Sequence, residues 1–180
     1  TSHTRVLFAQ RSAIPDRFES LDDLLRLKES DVVTLGVKQG HVSRVLRAIA
    51  KAESERLYAH GLKEEQEGNM KLALATFLKA ELTDEHLGHR AAVKVARFSM
   101  FGFNAMPVNL KAAVDKLEPL VEKKVEGAAF LLGLCLANGY GCTKDESRAK
   151  HIWQRDSNDQ RCRAALLLLP GNEAAPAANA

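Results

Sequence analysis

The sequence predicts an all-α protein, and three observations carry that reading. Apolar residues recur at helical spacing through most of the 180 residues. The five prolines stand at 15, 107, 119, 170 and 176, so long stretches are free of helix breakers. No sustained β-branched alternation occurs; Val32-Val33-Thr34 is the one short run with strand character, and Gly36 ends it. A composition of 46% hydrophobic and 27% charged residues suits one or two folded domains. No stretch is apolar enough for a membrane span, and Thr1-Ser2-His3 opens no secretory pattern.

The elements come in order. Ser20 is placed to cap a helix at Leu21–Leu27, and Ser30 to cap one at Asp31–Leu35 that Gly36 stops. Val42, Val45, Leu46 and Ile49 form the apolar stripe of a longer helix. Between His41 and Glu67 only Gly61 could interrupt that helix, which is therefore free to run on into the next segment. Gly68-Asn69 marks a turn, after which Ala73, Phe77 and Ala80 share a helical face.

From here the chain repeats. Gly61 and Ala96 lie 35 residues apart, and Ala96 and Gly133 lie 37 apart. A helix pair is expected around each position, which is the signature of stacked helical units. Gly102-Phe103-Asn104 in one unit answers Gly139-Tyr140-Gly141 in the next. Small residues are expected where paired helices approach closely, with Phe77 filling the gap. The run Cys162–Leu169 starts a further helix that stops at Pro170-Gly171 and caps the array. Residues 170–180, rich in Ala, Pro and Asn, read as a disordered tail.

These patterns resemble known families. Leu24-Leu25, Leu27, Asp31-Val32, Leu35-Gly36-Val37, Gly40-His41 and Val45-Leu46 resemble the second half of a sterile alpha motif (SAM) domain. Phe8 and Ile14 then belong to its earlier helices. The first SAM helix is absent or cut short at Thr1, so an incomplete SAM fold over residues 1–51 is expected. Packing on the next helices, or chain upstream, would complete it. Leu57, His60-Gly61, Glu64, Gly68, Ala73, Phe77 and Ala80 resemble a tetratricopeptide repeat. Ala128-Ala129, Leu132-Gly133, Gly139-Tyr140-Gly141, Asp145, Ala149 and Trp153 resemble its longer Sel-one-like variant, with Ala91-Ala92, Val95-Ala96, Gly102, Ala113 and Leu117 as a degenerate copy. The resemblance implies a right-handed superhelix over residues 52–169.

It also implies a non-enzymatic scaffold or adaptor. Its inner surface would be lined by Tyr58, Leu62, Val93, Arg97, Phe101, Leu134 and Asn138 and would take a partner peptide or helix. Each apolar member of that set has core packing as its ordinary alternative. The basic clamp some tetratricopeptide proteins use for a C-terminal carboxylate would fall on Tyr58, Leu62, Val93 and Arg97. Only Arg97 has the chemistry, so that partner class is disfavoured. The SAM-like part implies self- or hetero-association through Lys38, His41, Arg44 and Arg47 against acidic groups such as Asp22, Asp23 or Asp31, making a homo-oligomer an expectation.

Charge and chemistry narrow the rest. Residues 1–51 carry net +3, 52–87 net −4 and 88–169 net +5, a mild alternation that suits complementary surfaces. Nucleic-acid binding through Lys38, His41, Arg44, Arg47 and Lys51 is the weaker alternative, because aromatic residues are few there and Glu53 and Glu55 come next. His86 and His89 share a helical face and form the alternative metal site. His41 reads as a helix-start residue. Cys135, Cys142 and Cys162 show no metal-type spacing and read as reduced thiols of a cytoplasmic protein. Gly139-Tyr140-Gly141 lacks the strand and third glycine of a dinucleotide loop. No catalytic motif or cofactor site is evident.

Overall fold

The computed structural model describes residues 26–34, 36, 38–83 and 85–169. Eight α-helices and no strand occur among them: α1 (Glu29–Thr34), α2 (Gln39–Gln66), α3 (Met70–Glu81), α4 (Glu85–Phe101), α5 (Leu110–Glu122), α6 (Ala128–Asn138), α7 (Glu146–Arg155) and α8 (Gln160–Leu168). None is long and apolar enough to cross a membrane. The Ser20 cap, Phe8, Ile14, Asp22, Asp23 and the tail from Pro170 lie outside the described residues.

The expected Ser30 cap is corrected. The helix begins at Glu29, inside which Ser30 already lies. Asp31 does the capping instead, its carboxylate accepting the Lys28 backbone N–H at 2.8 Å. Asp31 stands at the third helical position and reaches back to the residue before the helix, the N3 half of a capping box. Val32, the residue with strand character, is buried on this helix.

Helix α2 runs 28 residues without a break, a rod of about 42 Å. Gly61 does not interrupt it, because the glycine serves packing. A Cβ there would stand 2.7 Å from the Phe77 ring of α3. The same relationship recurs in the third pair, where a Cβ on Gly133 of α6 would overlap the Trp153 indole of α7. In the middle pair Ala96 and Leu117 are both fully buried in one core. A slightly larger residue on the first helix thus goes with a smaller one on the second.

Each helix packs against its neighbour in sequence, and α2 also meets α4, as α6 meets α8. Two cores result. The smaller holds Ala73, Leu74, Phe77 and Ala80 of α3 with Ala91, Val95 and Phe98 of α4. The larger runs from Ala92, Ala96 and Met100 of α4 through α5, α6 and α7 to Cys162 of α8. Helix α4 is apolar on two sides because it is sandwiched between them. That demand explains its adjacent pair Ala91-Ala92, small enough for close approach on either side.

The turns obey the same local chemistry. Gly68, Gly102 and Gly139 stand just past the ends of α2, α4 and α6 with φ of 84°, 70° and 73°, the left-handed position that ends many helices. Asn104 stands where the next unit has Gly141, and both are left-handed, at φ 57° and 73°. Asparagine is among the few residues that tolerate that region. The Gly139-Tyr140-Gly141 loop therefore needs no ligand, and Gly141 packs directly onto the backbone at Leu110.

Candidate functional site

The first helix of each pair carries the side chains that meet across the array. On α4, Arg90, Lys94 and Arg97 recur at i, i+4 and i+7, so they share one face. Arg90 lies 5.2 Å above the Tyr58 ring of α2 and bonds Glu126, ahead of α6, at 3.1 Å. Lys94 reaches Glu65 of α2 at 3.0 Å, and Arg97 pairs with the other oxygen of the same carboxylate. Arg97 also lies 5.4 Å over Phe103. At the far end Arg161 of α8 covers Phe130 of α6 at 5.6 Å and is held by Asp159 at 2.7 Å.

Four cations and their aromatic and acidic platforms thus form one strip. Burial pushes the Lys94 ammonium below its ordinary pKa, and the charges of Arg161 and Arg90 push the same way. Arg97 is lowered by burial first and by Arg161 as well. Both cations lean on one carboxylate, and the buried Nε of Arg97 has no acceptor among the described residues. The strip has more donors than acceptors.

The expected lining residues divide. Tyr58 is half-buried between Arg90 and Phe77 and belongs to the strip. Arg97 is its centre. Leu62 and Leu134 are half-buried and pack on the two cores. Val93 is corrected: at 8% exposure it belongs to the larger core, so it presents nothing to a ligand. Phe101 is 48% exposed at the end of α4, against Phe103. Asn138 is exposed, and its amide donates to the Leu134 carbonyl at 2.9 Å.

Glu65, Arg90, Lys94, Phe130 and Arg161 are the residues that sequence reasoning missed. Phe130 had a signal, since it lies the same 37 residues past Val93 that separate Ala96 and Gly133. The spacing of Arg90, Lys94 and Arg97 was another. Arg161 had none; only the packing of α8 brings it here.

Lys38, His41, Arg44 and Arg47 are exposed at the start of α2. Asp31, one of their expected acidic counterparts, spends a carboxylate oxygen on Lys28 N. His89 faces the Lys123 ammonium at 2.7 Å. Nothing in that contact resembles a metal ligand pair, and the His86 side chain lies outside the described ones. A different trio, Asp156, Asp159 and Cys162, gathers its ligand atoms within 4.8 Å. Burial first, and then the two carboxylates, push the Cys162 thiol up to about 12. Asp159 instead caps α8, accepting Arg161 N at 2.8 Å, and its bonds to the Arg161 side chain hold its pKa low. No family model, curated protein or solved structure matches the chain.

Proposed function

We propose that the chain is a non-enzymatic docking platform. Helices α2 to α8 act as tetratricopeptide and Sel-one-like units stacked into a superhelix, and the SAM-like part mediates association with itself or another such domain. The partner is a peptide or helix that carries carboxylates. It lies along the strip on α2, α4, α6 and α8. The observation that carries this reading is the convergence of Arg90, Lys94, Arg97 and Arg161 beside Tyr58, Phe103 and Phe130. Partly desolvated cations next to aromatic faces are the usual anchors of such interfaces.

Site-specific crosslinking tests it. A photo-reactive residue at Tyr58 or Arg90 should capture an acidic segment that the same group at Leu78, exposed on α3, does not. The identified segment, synthesised alone, should bind the full chain and lose affinity at least about tenfold in Arg97→Glu. Equal capture from both faces would remove this reading.

A further inference from the structure

Beside the strip lies a cleft of about 250 Å³, lined by His89 and Arg90 of α4 and by Lys123, Lys124, Val125 and Glu126 of the α5–α6 connection. It holds three basic side chains besides the histidine, and one carboxylate. Glu126 already accepts from Arg90. His89 Nε2 is the acceptor for Lys123, because an ammonium has only hydrogens to give. Among the described residues Lys124 has no partner. The acceptors in the cleft are spoken for, while the Lys124 ammonium and the remaining hydrogens of Lys123 and Arg90 are not.

Basic residues near a helix C-terminus are favourable in any case, so charge alone does not decide. The backbone does. Lys123 caps α5, and Lys124 comes next at φ 55°. Lys124 N bonds the Val121 carbonyl at 2.9 Å, and Val125 N bonds the Leu120 carbonyl at 3.0 Å. This is the helix stop whose left-handed residue is most often glycine, as at Gly68 and Gly139 here. A lysine there accepts strain that a glycine would not. Its side chain lines both this cleft and the adjoining one of about 230 Å³ that Arg155 and Asp156 also line.

We infer that the cleft binds a phosphate monoester, with Arg90, Lys123 and Lys124 donating to its oxygens and His89 at its edge. A monoester carries nearly two charges and three strong acceptors, which matches the surplus. The group can be free or carried on a phosphorylated partner side chain; the chemistry is the same. Arg90 is shared with the strip, but Lys123 and Lys124 are not, so the cleft keeps two of its donors when the strip docks a peptide.

The test is a titration of the ¹⁵N-labelled full chain at constant ionic strength. Inorganic phosphate, O-phosphoserine and a phosphoserine peptide should each shift the amides of residues 123–126 and the His89 ring saturably, and chloride should not. The tightest of the three names the source. Lys124→Gly should lose at least about tenfold in affinity while its Tm rises, because the strain is relieved as the charge goes. Lys123→Met should weaken binding too, and Lys111→Met, elsewhere on α5, should not. No saturable shift, an equal response to chloride, or unchanged binding in Lys124→Gly would overturn the proposal. So would single-stranded RNA binding more tightly than any monoester with the same dependence on Lys124, which would make this a nucleic-acid contact.

Discussion

The indole of Trp153 lies against the backbone of Gly133, close enough that a Cβ on the glycine would stand 2.8 Å from its Cδ1. The indole N–H is not idle in this contact; it donates to the Phe130 carbonyl, one turn earlier on α6, at 3.3 Å. The pair therefore sets both the spacing and the register of α6 on α7.

Gly133→Ala should for that reason destabilise the fold. An added methyl in a helix interior ordinarily helps by up to about 1 kcal/mol, but here it must displace a buried ring, and overpacking costs about 1–3 kcal/mol. In the middle pair a larger Ala96 and a smaller Leu117 are both fully buried in one core. Gly133→Ala combined with Trp153→Leu should lose less than the sum of the two single changes. Urea unfolding of the four proteins in a double-mutant cycle measures the coupling. Additive losses would mean that the two side chains do not determine each other.

This relationship was legible in sequence, as the recurrence of small residues at 61, 96 and 133 and of larger ones on the helix after each. Such information is local and periodic, so it survives without coordinates. The strip was legible only in part. Tyr58 and Arg97 stood out, yet Glu65, which binds two cations at once, looks in sequence like any solvated glutamate beside Glu64. Lys124 was invisible for a related reason. A left-handed helix stop announces itself by glycine or asparagine, and here the position carries neither. The Ser30 cap failed because the helix starts one residue before it, which puts Ser30 inside the first turn and Asp31 at the position that reaches back to Lys28.

Glu65→Gln should be the most costly single change in the strip. Its carboxylate is 14% exposed and serves Lys94 and Arg97 together. Removing the charge leaves two half-buried cations facing each other, for which a loss of about 1–3 kcal/mol is reasonable. Glu126→Gln, whose side chain is 69% exposed, should cost less than about 1 kcal/mol. Thermal unfolding of both variants separates them. A larger effect at Glu126 would contradict the assigned geometry.

The proposed association through the start of α2 carries its own prediction. Arg44 and Arg47 are exposed on α2, and under the proposed association they face acidic groups of another copy. The full chain should then form oligomers at low salt that dissociate as salt screens the contact. Arg44→Glu with Arg47→Glu should leave the protein monomeric and folded. Analytical ultracentrifugation at two salt concentrations decides this, and a chain that stays monomeric at high concentration and low salt removes self-association from the proposal.

The cysteines give a pH dependence with a definite sign. Cys135 and Cys162 are fully buried, and burial pushes their thiols up to about 11 and about 12. An unfolded thiol releases its proton near pH 9. Between these values the folded state holds protons that the unfolded state has lost, so stability falls as pH rises. The stabilisation is fully present below pH 9 and drains away from there toward 11 and 12. Cys142 is only partly buried and should therefore be the first to react with iodoacetamide at neutral pH. Cys135 and Cys162 should become reactive only when the chain opens, at a rate that tracks unfolding. Substituting Cys162→Ser and Cys135→Ser should flatten the alkaline limb of the stability profile, since a serine hydroxyl does not titrate there. Equal labelling of all three thiols in the folded protein would show that α8 does not stay docked over the larger core.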